Sequence, residues 1–231
     1  DVINFCRFCP EVAKRVQKLY LACHPDLHIL LSQLPVHLTA APTDVEFDEI
    51  IHIMALPHAL GVCKQDISGQ PYLEPLQLLL DPWRPLRDMR FSKIGLCWRG
   101  NPFSPRDKDR SLSTEDLEKF FFDERLRYFN FTRIDRHDKT WNPNDLLPDW
   151  NVTANLLSHM DLLITVETAM VHLGGAMGVP TWLMSSEQGD WRFERGTSKT
   201  VWHDSVRVFR GGPQDKLAVD QVVAALKEWC V

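Results

Sequence analysis

The chain has 231 residues, 44% hydrophobic and 25% charged, with 26 basic against 31 acidic side chains and a net charge of −5. That length holds one large domain or two small ones with real cores. The balance is ordinary for a soluble globular protein and argues against a broad nucleic-acid surface. No apolar run has the length needed to span a bilayer, and no signal peptide is visible. The six cysteines are scattered, which suits a reducing, cytoplasmic setting better than a disulfide framework.

In chain order, residues 2–15 read as helical, with Pro10 dividing the element. Cys6 and Cys9 have C-x-x-C spacing, but they fall in the apolar helical pattern of Val2, Ile3 and Phe5. They read as core cysteines rather than a metal site. Lys18–Cys23 is a short strand, a helix starts at His24-Pro25-Asp26 and runs to Leu34, and Val36–Ala40 is a second strand. Ala41–Asp48 is a loop, Glu49–Met54 a third strand and Pro57–Gly61 a helical turn. The stretch Gly69–Pro85 is punctuated by four prolines, and Trp83–Arg87 reads as a crossing between two lobes.

The second half opens on a buried strand, Lys93–Trp98, and a turn at Arg99-Gly100-Asn101-Pro102. A charged loop, Ser104–Arg110, precedes a helix that Ser113 caps, with Asp116 three positions on. Arg127–Ile134 is a strand, 135–150 a long loop and Val152–His159 a short helix. Leu162–Val166 is a strand that ends in Glu167-Thr168, and a small-residue helix follows from Ala169 to Met177. Gly178 stops that helix, and Thr181–Met184 is the next strand. Strand, turn, helix, strand is the unit of a parallel α/β sheet, and ligands bind such sheets at the strands' carboxyl ends. Ser185–Asp204 is a loop rich in Trp, Arg and acids, Val206–Phe209 a strand, and Asp215–Trp229 an amphipathic helix.

Three clusters carry chemistry. Trp98, Gly100, Asn101, Asp107, Arg110 and Ser111 would let a backbone approach a ligand and give a phosphate its charged and hydroxyl partners; a solvated charged loop explains them equally well. Thr165, Glu167, Thr168, Ala169 and His172 gather at the start of the small-residue helix, where free N–H groups favour an anion. There Glu167 is a ribose ligand or a helix cap, and His172 alone reads as a core histidine. Asp190, Trp191, Arg192 and Phe193, with Arg195 and Trp202-His203, could clamp a sugar or base ring or anchor a plain loop.

The blocks DVINFCRF (1–8), GLCWRGNP (95–102), DKDRS (107–111), TVETAMVHLGGAMGVPTW (165–182), DWRF (190–193) and W…VRVFR (202–210) occur in that order. Together they resemble bacterial glycosyltransferases related to ADP-heptose:lipopolysaccharide heptosyltransferases, in the branch often found behind tetratricopeptide repeats. The resemblance implies the GT-B architecture: two Rossmann-like lobes with parallel sheets facing across a cleft. Residues 1–90 would be the acceptor-side lobe, truncated at its N-terminus, and 91–231 the nucleotide-sugar lobe, with the final helix returning toward the first. It implies an inverting transfer from a nucleotide-diphosphate sugar to a hydroxyl on a glycan, lipid, protein or modified nucleobase, with DNA disfavoured by the net charge. No metal or cofactor takes part in that scheme. Asp1 would be the general base and Arg110 would stabilise the leaving diphosphate. Trp98, Gly100, Asn101, Ser111, Thr165, Glu167, Thr168, Ala169, His172, Asp190, Trp191 and Arg192 would hold the donor. Two departures stand out: the glycines that normally precede the Asp1 position are absent, and Glu167 stands where the family typically has Asp. The alternatives are a non-catalytic nucleotide- or sugar-binding module and a GT-B-type sugar-nucleotide epimerase.

Overall fold

The computed structural model describes residues 1–77, 82–105 and 107–230. The chain opens with helices α1 (Val2–Phe5) and α2 (Cys9–Ala13), joined by a 3-10 turn over Cys6–Phe8. Pro10 sits in the first turn of α2, where its missing N–H breaks no helical bond. Strands β1 (Tyr20–Ala22) and β2 (His37–Thr39) pair in parallel around helix α3 (His28–Leu31). Helix α4 (Leu56–Ala59) follows. The strand expected over Glu49–Met54 does not form. Ile50 and Ile51 are exposed, so no partner face rewards an extended run, and Ile53–Ala55 makes a 3-10 turn capped by His52. Part of the proline-punctuated stretch, 78–81, lies outside the described residues; beyond it Trp83 is buried and Arg84–Asp88 forms a 3-10 turn.

The second half builds a six-stranded, all-parallel sheet. Its strands are β3 (Ser92–Cys97), β4 (Leu126–Asn130), β5 (Thr140–Trp141), β6 (Leu162–Val166), β7 (Thr181–Ser185) and β8 (Val206–Arg210). Their order across the sheet is β5-β4-β3-β6-β7-β8. The helices are α5 (Asp107–Arg110), α6 (Thr114–Glu118), α7 (Trp150–Leu157), α8 (Ala169–Met177) and α9 (Val219–Trp229). The expected α/β class with a parallel sheet is thus the one observed. One segment read as loop, 135–150, supplies the edge strand β5. Thr140 pairs with Tyr128, and the Trp141 ring meets Phe129 and Trp83 edge-on at 5.2 and 5.4 Å.

The near-continuous apolar strands follow from burial on both faces. Alternate residues serve two separate cores. Ile94, Leu96, Leu162, Ile164, Val166, Trp182 and Met184 face a cluster completed by Leu117 of α6 and Val219, Val222 and Leu226 of α9. Cys97, Phe129 and Leu163 face the other, which holds Leu156 and Leu157 of α7 and Met170, Leu173 and Ala176 of α8. The first half joins that same cluster through Ile3, Cys6, Cys9, Leu27, Leu30 and Leu31, so it is bolted onto the α7–α8 layer. Cys6 and Cys9 are core residues, as their spacing implied, and burial pushes the Cys9 thiol up to about 11. A buried charge in the sheet, Lys93, is balanced by Asp161, whose carboxylate also accepts the Lys93 N–H at 2.7 Å.

Both ends of α8 carry chemistry that fixes its limits. The Thr168 hydroxyl accepts the Met170 N–H at 3.3 Å. Gly178 closes the helix at φ +73°, with its N–H on the Gly175 carbonyl and the Val179 N–H on Gly174. A Cβ on Gly178 would lie 2.6 Å from Pro71 Cγ. Gly178→Ala is therefore expected to cost about 1–2 kcal/mol for the left-handed backbone alone, with more from the Pro71 contact. Urea unfolding measures this as a lower midpoint at unchanged slope; an unchanged midpoint would show that the turn tolerates a side chain.

Candidate functional site

In the strand order β5-β4-β3-β6-β7-β8, the chain leaves β3 toward β4 on one side and β6 toward β7 on the other. The loops beyond the carboxyl ends of β3 and β6 diverge there, which opens a crevice. A cavity of about 210 Å³ occupies it. Eight of the expected site residues line it: Asp1, Arg110, Glu167, Thr168, Ala169, His172, Asp190 and Arg192. Phe193, from the cluster expected to clamp a ring, lines it as well, and so do Ser104, Asp109, Val171 and Ser186, none of which was singled out as a ligand from the sequence.

Arg110 ties the two sides of the crevice together. Its guanidinium donates to the Glu167 carbonyl at 2.7 Å and lies across Gly100, where a Cβ would come within 2.5 Å of it. Gly100 is thus needed for close approach, but the group that approaches is Arg110. The Gly100 N–H donates to the Ser111 hydroxyl at 3.3 Å. Ser111 therefore shapes the loop and does not line the cavity, contrary to the direct contact expected of it.

Four further expectations change. Trp98 is buried in the core beneath the sheet, and its indole N–H donates to Asp135 at 3.1 Å. Asn101 accepts the Phe103 N–H at 3.0 Å, a local turn on the surface. Trp191 is exposed and packs edge-on against Trp202 at 5.9 Å, outside the cavity lining. Thr165 is fully buried just below the floor, with its hydroxyl 3.3 Å from that of Thr168.

Glu167 is neither a helix cap nor a free ligand. Thr168 does the capping, while the Glu167 carboxylate accepts from the Ser185 hydroxyl at 2.5 Å and from the Asp190 N–H at 3.1 Å. Arg210 donates to the same Ser185 hydroxyl at 2.7 Å and to the Ser186 and Phe193 carbonyls. Glu167 and Arg210 thereby pin the long loop after β7 over the cavity. Gly189 admits this network, since a Cβ there would lie 2.2 Å from Glu167 Oε1. On that loop Asp190 grips Arg192 through both Nε and Nη2, at 2.8 and 2.9 Å, and Arg192 Nη1 reaches Asp1 at 2.8 Å.

His172 stacks on Phe193 with ring centres 5.9 Å apart, and its Nδ1 lies 3.2 Å from His203 Nε2. His203 is fully buried, and its Nδ1 lies 3.2 Å from Arg7 Nη2. Gly175 makes room for that ring: a Cβ would meet His203 Cγ at 2.1 Å. Burial and then the neighbouring cations disfavour imidazolium. His203 is pushed down to about 3, and His172 is held well below its ordinary value by burial, His203, Arg192 and Arg7. Arg7 and His203 are 196 positions apart, and no local pattern connects them.

These depressed values make a prediction about acid stability. The folded protein keeps His203 neutral, whereas the unfolded chain protonates it near 6.5. Stability from this residue is complete above that pH and is lost as pH falls toward 3, by up to about 1.4 kcal/mol per pH unit. His203→Gln should lessen the wild-type slope of unfolding free energy between pH 6 and 4.5 by about one proton's worth. Parallel slopes for the two proteins in urea titrations would mean that His203 is charged in the native state.

Neither a family model nor a curated protein sequence matches the chain. Among solved structures it is similar to a glycosyl transferase family 9 protein from Veillonella parvula DSM 2008. The alignment covers 98% of this chain and 77% of that one, at 14% identity and a TM-score of 0.47. A likeness this distant assigns neither family nor activity.

Proposed function

We propose that this chain is an inverting glycosyltransferase of the GT-B type that binds the diphosphate of a nucleotide-sugar in the switch-point cavity. The observation that carries the reading is the convergence of Arg110 and the first turn of α8 on one cavity at the carboxyl ends of β3 and β6. The sequence blocks that resemble heptosyltransferase-like enzymes supply the reaction class, and the same two-lobe division, 1–90 and 91–231, belongs to the proposal.

An anion must find its partners among the charges already around the cavity. Four carboxylates line the cavity: Asp1, Asp109, Glu167 and Asp190. They are matched by Arg192, which pairs with both Asp1 and Asp190, by Arg210 beside Glu167, by Lys216 at 3.4 Å from Asp109, and by Arg110. The helix end adds roughly half a positive charge. Asp107 lies 3.7 Å from Arg110, so the charges nearly cancel and net charge does not select an anion. What would hold one is local: a diphosphate placed between Arg110 and the Ala169 end of α8 meets a guanidinium and the free N–H groups of the helix. Glu167 and Arg210 hold the loop that covers it, and Phe193 and His172 form the adjoining wall.

In the reaction proposed, the acceptor hydroxyl oxygen bonds to the anomeric carbon as the bond from that carbon to the diphosphate breaks. The electron pair leaves with the nucleoside diphosphate, and Asp1 takes the hydroxyl proton. Arg192 holds one Asp1 oxygen, which leaves the other for the acceptor. Arg110 and the α8 end stabilise the charge that grows on the leaving group. No helix among the described residues is long and apolar enough to cross a membrane. The six free thiols support placing the activity in a reducing, cytoplasmic setting. The acceptor is a glycan, lipid-linked or protein hydroxyl.

A thermal-shift panel of ADP, GDP, UDP and CDP tests the donor site, since a ligand of the folded state raises the melting temperature by mass action. One of them should raise it, and Arg110→Ala should weaken that nucleotide roughly ten- to a hundredfold, the effect of losing one hydrogen bond to a charged group. Wild-type affinity in the variant would remove Arg110 from the diphosphate site. Asp1→Asn separates enzyme from binding module. Nucleoside diphosphate release from the matching sugar-nucleotide should fall at least about a hundredfold while nucleotide affinity holds; release at the wild-type rate would exclude Asp1 as the base.

A further inference from the structure

We infer that Arg7 and His203 are positioning residues that fix His172 as a neutral Nε2–H donor facing the cavity. The argument runs outward from Arg7. A guanidinium donates and never accepts. Arg7 is immobilised: Nε donates to the Asn4 carbonyl at 3.0 Å and Nη1 to the Ser68 carbonyl at 2.9 Å. Nη2 reaches Asn4 Oδ1 at 3.4 Å, and the Arg7 carbon sits 4.2 Å over the Tyr72 ring. The remaining Nη2 hydrogen meets His203 Nδ1 at 3.2 Å, so that nitrogen must present a lone pair.

A neutral His203 then carries its proton on Nε2, the atom that faces His172 Nδ1 at 3.2 Å. His172 Nδ1 becomes the acceptor, and the His172 proton is forced onto Nε2. The two nitrogens of an imidazole point away from each other, so Nε2 turns from His203 while the ring lines the cavity. Phe193 covers one face of that ring and holds its plane. Both rings stay neutral because they are buried beside Arg7 and Arg192, so the chain of donors does not titrate near pH 7. The Gly175 carbonyl lies near the His203 ring and would take the proton of the opposite tautomer. Arg7 opposes that tautomer by confronting Nδ1 with a second donor.

The consequence for recognition rests on the diphosphate reading of the cavity. His172 offers an oxygen ligand a hydrogen bond without adding a charge, and its direction is set from 165 positions away, at Arg7. The groups around the pair include Arg7, Arg192, the Asp1 amino group, Asn4, Tyr72 and Phe193, with the carboxylates of Asp1, Asp109, Glu167 and Asp190 in the same cavity. None of them can take the proton from His172 Nε2 at neutral pH.

Long-range ¹H–¹⁵N spectra of ¹⁵N-histidine-labelled, ligand-free protein at pH 7 read the tautomers directly. Both His172 and His203 should appear as neutral Nε2–H forms, assigned with His172→Gln and His203→Gln. An Nδ1–H or charged form of either residue overturns the proposal. Arg7→Leu should release His203 toward the Nδ1–H form, and His203→Leu should leave His172 as a mixture of tautomers. His203→Gln, whose amide can accept from Arg7 and donate to His172, should keep His172 in the Nε2–H form. An unchanged His172 in His203→Leu would show that His203 does not set it. If His203→Leu fails to fold, the wild-type and His203→Gln spectra decide. For the nucleotide chosen by the ADP, GDP, UDP and CDP panel, His203→Leu should lose about two- to tenfold in affinity and His203→Gln should recover most of it. If none of the four binds the wild-type protein, the diphosphate reading fails, while the ligand-free spectra still decide the tautomer claim.

Discussion

The pairing of β3 with β6 is the constraint on which the rest of the molecule depends. Four register pairs join them, from Ile94 opposite Leu162 to Cys97 opposite Thr165. Because both strands are parallel and central, their onward connections must part to opposite halves of the sheet. The gap left at their carboxyl ends is a result of topology, not of any one side chain. Arg110 then spans the gap from the β3 side to the Glu167 carbonyl on the β6 side. The residues that line the cavity come from the loop after β3, the turn after β6, the loop after β7 and the start of the chain. Losing the β3–β6 register would scatter all four.

A second layer of order comes from buried polar groups that work in chains. Glu167, Ser185 and Arg210 hold the loop over the cavity, and Asp190, Arg192 and Asp1 carry that order to the first residue described. On the other side Arg7, His203 and His172 link the first half of the chain to α8. Each chain is hydrogen-bonded from member to member, which offsets much of the cost of desolvation, although Arg210 Nε is buried without a hydrogen-bond partner. The first half therefore contributes more than apolar cover to the cavity wall. Ile3 and Cys6 supply packing on the α7–α8 layer, while Arg7 supplies orientation through His203.

Much of this was legible where local chemistry marks both ends of an element. The limits of α8 could be read from the sequence because Thr168 and Gly178 each do something a neighbour cannot: one caps with a hydroxyl, the other adopts a left-handed backbone. The crevice could be anticipated because polar residues follow the apolar run of β6. What escaped were facts that live in tertiary pairing. The two-residue strand β5 exists because Trp141 finds Phe129 and Trp83, not because of its own propensity. Glu49–Met54 had strand-like composition but no partner. Trp98 looked available for a ligand, yet Asp135 satisfies its indole N–H and allows it to be buried. Glu167 kept two readings until Ser185 and the Asp190 N–H gave it a third.

The central claim is that a diphosphate sits at the switch point between Arg110 and the first turn of α8. The most direct measurement is a crystal structure with the nucleoside diphosphate that binds most tightly. The account predicts phosphate oxygens within hydrogen-bonding distance of the Arg110 guanidinium and the Ala169 end of α8, with His172 Nε2 on the same side. A nucleotide bound with its phosphates elsewhere on the molecule, or turned away from Arg110 and α8, would contradict it.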